Sequence, residues 1–412
     1  MLTTVLDRLT GLTSKYFVLG AFVPVLVFGF LNGVILYLEV GWFRAWAEPQ
    51  LSVAARAVDV VATLVGLAVV AYVLWGLSGF LRQVLEGQHL RRESRLAGFL
   101  RGAQLRRFRA ARHEYQHARD AAAGIAAAKP HWVDQLVDAA IKGNEAHAGR
   151  NSYDGQPGNA AADALATLRR RRERAEPPEP LEVQTAVAEL GKVLAENDID
   201  TAPAALERDR DDLYVLLDYA EDEWAAREAA LGGRLQARFG AGAVAATAFG
   251  NVGESMQSYT LSRYRLNLPT FWSRLQPLLQ KHQEFYAGLQ DAKVQVDFLV
   301  SCVFLSALTT VFWVVALPFW GDSVWLLLAV LVLGPLITWG FYLAATENYV
   351  AFGELVRTSV DLYRFELLDA LHLNRPRSLR DERLLWNAMQ LVASSGQPWV
   401  DLGYRHDDTA KA

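Results

Sequence analysis

Residues 17–38 read FVLGAFVPVLVFGFLNGVILYL, a run with no Asp, Glu, Lys, Arg or His. A helix rises 1.5 Å per residue, so such a run covers about 30 Å, the hydrocarbon thickness of a bilayer. Three further runs without charge follow, at residues 60–81, 298–320 and 323–346. Hydrocarbon offers no water to the backbone, so each run must satisfy its amides internally, as a helix. Pro24, Pro318 and Pro335 fall inside these runs, where neighbouring helices can take up the carbonyl that a proline leaves free. Trp42, Trp46, Trp75, Trp320 and Trp325 gather near the margins, as amphipathic rings do at membrane interfaces. The fold class expected is all-α: a polytopic membrane protein with four transmembrane helices.

The first run has a competitor. Ala45-Trp46-Ala47 has the small-x-small pattern of a signal-peptidase site, but signal cores span only about 7–15 residues. The run is longer, and the tripeptide lies well beyond it. It is read as a span.

Cationic residues orient the spans. Arg8 and Lys15 precede the first, Arg82, Arg91, Arg92 and Arg95 follow the second, Lys281 and Lys293 precede the third, and Arg357 and Arg364 follow the fourth. The 39–59 connection has only Arg44 and Arg56, and the Gly321-Asp322 hairpin has none. The positive-inside bias therefore places both termini and the long central segment in the cytoplasm. The domains expected are a membrane hairpin over 1–81, a large cytoplasmic helical domain inserted over 82–297 with a linker near 143–180, a second hairpin over 298–346, and a cytoplasmic helical tail over 347–412. The expected location is the cell membrane, with the bilayer as one partner.

Apolar residues (52 %) concentrate in the four runs and the charged 21 % lie between them, for a formal net charge of −4. Cys302 is the only cysteine, which excludes an intramolecular disulfide and a cysteine metal cluster. Residues 82–129 carry 11 Lys/Arg against four acids; with no proline before Pro130 they read as one helix continuing span two. Arg82, Arg91 and Arg92, the cations nearest the bilayer, are candidates for contact with anionic headgroups, whose field fades within about a Debye length (~10 Å). Residues 181–230 reverse the sign, with 14 acids against four bases. Packing of this acidic helix pair against the basic stalk uses both runs without a ligand. Arg169 to Arg174 lack the interleaved aromatics of a nucleic-acid surface, and no nucleic acid is expected.

Chemistry-bearing motifs are few. His113-Glu114-Tyr115-Gln116-His117 is a formal H-E-x-x-H, which on a helix places two imidazoles on one face with a carboxylate beside them for water activation. Arg112 and Arg119 flank it and position 123 is alanine, where a third metzincin histidine would fall. His113, Glu114 and His117 stand as minor metal candidates. Asn197-Asp198-Ile199-Asp200 lacks the glycine and terminal glutamate of a calcium loop. Gly240-Ala241-Gly242 is followed by no Gly-Lys-Ser/Thr. No cofactor is expected. The runs hold no ionisable residue of the kind that marks proton or ion relays, though Gly29 and Gly33 form a G-x-x-x-G pair where another helix can approach.

Two stretches carry a resemblance. One is Gly250-Asn251, Arg263-Tyr264, Trp272 and Arg274-Leu275; the other is Asp361-Leu362-Tyr363-Arg364, Leu367-Leu368, Pro376, Glu382-Arg383 and Trp386. Together, over roughly residues 245–390, the chain resembles a group of uncharacterised bacterial four-span membrane proteins of actinobacterial type. The resemblance implies the same layout and supplies no activity. Arg263, Tyr264, Trp272, Asp361 and Arg364 are the residues expected to build a polar membrane-proximal junction between the C-terminal helix and the inner domain.

The function expected is that of a non-enzymatic scaffold or partner-binding membrane protein, acting on a cytoplasmic protein through its helical domain and open to homo-oligomerisation. The alternatives are an oligomeric channel or pore and, second, a zinc metalloprotease.

Overall fold

The computed structural model describes residues 15–41, 43, 53–89, 94–147, 159–196, 204–240, 244–321 and 323–395. Helix dominates them. A helical turn, Lys15–Phe17, and a π-helical turn, Val18–Phe22, lead into α1 (Val23–Glu39). Then come α2 (Val53–Glu86), α3 (Arg95–His147), α4 (Asn159–Glu173), α5 (Pro180–Ala195), α6 (Ala204–Arg238), α7 (Ala248–Tyr264), α8 (Leu268–Leu279), α9 (Gln283–Trp320), α10 (Val324–Ala370) and α11 (Leu379–Ser395).

Four helical stretches are long and apolar enough to cross a membrane: Val18–Glu39, Val58–Glu86, Gln283–Trp320 and Val324–Ala370. They match the four uncharged runs, two of which (17–38 and 323–346) begin one residue earlier. Their few polar groups answer one another. Pro24 has no N–H for the carbonyl four residues before it, and that carbonyl, on Gly20, accepts instead from Ser301 Oγ of α9 at 3.2 Å. Asn32 donates to Thr309 Oγ1 (3.2 Å) and accepts from the indole of Trp313 (2.7 Å), which is fully buried. Thr338 Oγ1 donates to Ser306 Oγ at 3.0 Å, tying α10 to α9. Of the glycine pair, Gly29 abuts the Leu67 side chain of α2, whereas a Cβ on Gly33 would meet nothing within 4 Å.

The chain parts into two compact units, residues 1–105 with 236–412, and residues 106–235. In the first, α7, α8, α11 and the ends of α9 and α10 that extend past the uncharged runs share a core including Phe249, Phe271, Leu279, Val296, Val360, Leu368 and Trp386. Of the apolar positions on the part of α10 beyond its uncharged run, Val356, Val360 and Leu367 are buried and Tyr363 is half-buried. The helix ends at Ala370, with His372 at φ 55°, before Pro376 is reached.

In the second unit, α3 contributes Ile125, Trp132 and Leu136, α4 Leu165 and Leu168, α5 Val183, Leu190 and Leu194, and α6 Leu213, Leu217 and Trp224 to one apolar core. Charge complementarity is confined to the rim. Lys129 pairs with Asp218 (2.6 Å) and Glu221, Arg169 with Asp209 (2.9 Å) and Asp212 (2.6 Å), and Arg171 with Glu182 (3.0 Å). Arg106, Arg107, Arg109, Arg112 and Arg119 are exposed instead.

Two expectations change here. Span two does not run on as a stalk: α2 stops at Glu86, where Gly87 at φ 76° and the bonds Gly87 N–H to Val84 O and Gln88 N–H to Gln83 O close a left-handed helix end. Pro130 does not end a helix either. It lies inside α3, on an exposed position, while Ile125, Trp132 and Leu136 hold the opposite face in the core across it, because packing rather than propensity keeps helices in place.

Candidate functional site

The densest polar arrangement lies where α2, α9 and α10 leave their uncharged runs. Arg82, the first charged residue after 60–81, bonds to Asp297, the last before 298–320; Lys293 adds its ammonium at 3.7 Å. The Asp297 side chain is 10 % exposed and that of Arg82 22 %. A carboxylate this far from water is stable only when paired. Four residues on, Glu86 accepts from Tyr349 Oη at 2.7 Å, and Tyr349 stacks on Phe249 with centroids 4.1 Å apart. Thr247 caps α7 by accepting from Gly250 N–H (2.9 Å) and donates its own hydroxyl to Leu85 O (2.7 Å). Tyr342 Oη accepts from the free N–H groups of Ala248 and Phe249 at 3.1 and 3.3 Å. A Cβ on Gly250 would overlap the Glu86 carbonyl oxygen, so only glycine lets α7 approach the end of α2 this closely.

Beside this collar lies a cavity of about 360 Å³ between α2, α7, α8, α9 and α10. Arg82, Lys293, Gln276, Gln290, Tyr286 and Trp272 supply polar atoms to its wall, and Met256, Leu268, Leu289, Phe352 and Val356 the apolar remainder. The buried Arg82 Nε has no protein partner.

Four of the five expected junction residues meet. Asp361 accepts from Tyr259 Oη (2.7 Å) and Tyr264 Oη (2.8 Å), and Arg263 donates to Tyr259 Oη at 3.1 Å. Arg364 lies over the Tyr264 ring at 4.3 Å and donates to Glu382 of α11 at 2.7 Å. Burial, and then the bond to the Asp361 carboxylate, push the Tyr259 phenol up to about 12 and raise that of Tyr264 as well. Trp272 lies elsewhere, in the cavity wall. Asp361 follows Thr346 by 15 residues of one helix, which places the cluster about 22 Å along the axis beyond the uncharged run. It docks α11 and α7 onto α10.

Arg357 is 5 % exposed and turns inward, donating to Ser255 Oγ (2.7 Å), Glu354 (2.5 Å) and the Gln236 and Ala237 carbonyls at the end of α6 (3.3 Å each). A cation at a helix C-terminus meets the negative end of the dipole.

Arg82, read as a lipid contact, is engaged with Asp297; Arg91 and Arg92 lie outside the described residues. In the H-E-x-x-H stretch, His113 and Glu114 are exposed, while His117 packs on the Trp224 ring at 5.6 Å and approaches Glu179 at 3.9 Å. Among the described residues no three His, Cys, Asp or Glu side chains are grouped to hold a metal. Sequence reasoning missed the partnership of Arg82 with Asp297, although each flanks an uncharged run on the same predicted side. That symmetry was the available signal.

Compared with protein-family models, with curated proteins and with solved structures, the chain matches none.

Proposed function

We propose that this chain is a non-enzymatic integral membrane scaffold that presents its cytoplasmic helical part to a protein partner. One observation carries the reading. The helices that cross the bilayer, α9 and α10, run on without a break into the core they share with α7, α8 and α11, and the Arg82–Asp297 pair locks α2 to them at the exit. A position or tilt of the spans is thereby passed to the helical part as a rigid displacement. The polar groups of the spans bond to each other inside one bundle (Asn32 with Thr309 and Trp313, Thr338 with Ser306), which leaves few of them to line a pore.

The test uses the full chain. Photo-crosslinkers at the exposed positions Arg112 and Asp222 should recover the same cytoplasmic protein reproducibly from intact cells, and reconstituted protein should give no conductance in planar bilayers. Selective, reproducible single-channel currents without a recurrent crosslinked protein would replace the scaffold by the oligomeric channel.

A further inference from the structure

Between residues 94 and 113 the chain has six arginines and no acidic residue. Were this segment a straight continuation of α2, Gln104 would lie about 27 Å beyond Glu86. It does not. The left-handed end at Gly87 turns the chain, and His89 packs its ring against Phe80, back within α2, at 5.0 Å. Gln104 is buried and accepts from Asn251 Nδ2 at 3.4 Å, and Asn251 adjoins Gly250, the residue pressed against the Glu86 carbonyl. Gln104, in the third turn of α3, thus lies beside the end of α2 rather than far beyond it.

The faces of these turns differ. Ala97 and Gln104 point inward, at 0 % and 9 % exposure, whereas Phe99 is 71 % exposed. Ser94 caps the helix, its Oγ accepting from Ala97 N–H at 3.1 Å. Arg95 is exposed and Arg101 half-buried, and neither has a carboxylate within ion-pair reach among the described residues. A Cβ on Gly98 or Gly102 would meet nothing within 4 Å, so no described residue covers the surface beside Phe99. A large aromatic ring near the end of α2, flanked by glycines and by arginines with no carboxylate partner among the described residues, has the composition of an interfacial helix. We infer that the first turns of α3 lie on the anionic leaflet, with Phe99 set into the acyl boundary and Arg95 and Arg101 on lipid phosphates. The lipid contact expected of Arg82 belongs here, one helix later. The choice of leaflet rests on the cytoplasmic assignment above; the depth of Phe99 does not.

The experiment uses the full chain, with Cys302→Ser as background, in nanodiscs of equal parts phosphatidylglycerol and phosphatidylcholine. A spin label at Phe99→Cys should collide with oxygen in preference to a water-soluble nickel complex, unlike one at the exposed Gln116. Access to nickel equal to that at Gln116, or shielding from both reagents as under a protein partner, would overturn the proposal. Spin-labelled phosphatidylglycerol should be selected over phosphatidylcholine, and Arg95→Gln with Arg101→Gln should reduce that selection by roughly fivefold per arginine at low salt. Unchanged selection in a variant of unaltered melting temperature contradicts the inference. So does its loss to glycerol phosphate at constant ionic strength, which would mark a site for free phosphate. A Phe99 label buried on the opposite leaflet would sink the cytoplasmic assignment and leave the interfacial helix standing.

Discussion

Asp297 and Arg82 set the most consequential single-residue test. Removing one member of a mostly buried pair strands the other charge, so Asp297→Asn should destabilise the folded chain by about 3 kcal/mol or more. Adding Arg82→Gln should restore part of that loss, and a thermal-melt double-mutant cycle in nanodiscs reads the coupling; strict additivity would mean the pair contributes nothing. Gly250 and Gly33 make a contrasting pair. Gly250→Ala drives a methyl into the Glu86 carbonyl and should lower the melting temperature, while Gly33→Ala meets open space and should leave the monomer's unchanged. Tyr259 gives a pH dependence. Its phenol ionises at about 12 in the fold against about 10 when unfolded. The protonated form is the one that donates to Asp361, so its contribution is complete below pH ~10 and disappears as pH rises toward ~12. Ultraviolet titration should show this late ionisation, and Asp361→Asn should bring it earlier.

At the scale of elements, the turn after α2 decides where everything downstream begins. Gly87 occupies a left-handed conformation that side chains resist. Gly87→Val should cost about 1–2 kcal/mol and loosen the return of α3, seen as faster hydrogen exchange over residues 94–104 than over α9. The reading of 82–128 as one continuous helix failed at this glycine because it rested on the absence of proline, and a glycine in the left-handed region ends a helix as well. Pro130 misled in the opposite sense. Proline weakens an isolated helix by about 3 kcal/mol, yet the core contacts of Ile125, Trp132 and Leu136 hold both sides of α3 in register. The spans, by contrast, were legible to within a few residues, because length and absence of charge are local properties.

For the whole molecule, two cores imply two cooperative units. Trp224→Ala empties the centre of the core built by α3, α4, α5 and α6, where the indole is 2 % exposed and donates to Pro178 O at 2.7 Å. A loss of about 3–5 kcal/mol is expected. Hydrogen exchange should accelerate over residues 183–194 and 213–224, while residues 248–279 keep their protection in the separate core around Phe249 and Phe271. Equal acceleration in both regions would mean a single cooperative unit.

The sequence by itself determined the four apolar helices, since crossing hydrocarbon demands a run of fixed length without charge, and it pointed to Arg263, Tyr264, Asp361 and Arg364 as a cluster. Only the tertiary structure decided their partners. Arg82 finds Asp297 across 215 positions of chain, Arg357 turns inward to the end of α6, and Gln104 of α3 meets Asn251 beside the end of α2. Each outcome depends on which helices become neighbours in space. Periodicity and spacing describe one helix at a time and carry no record of the neighbour.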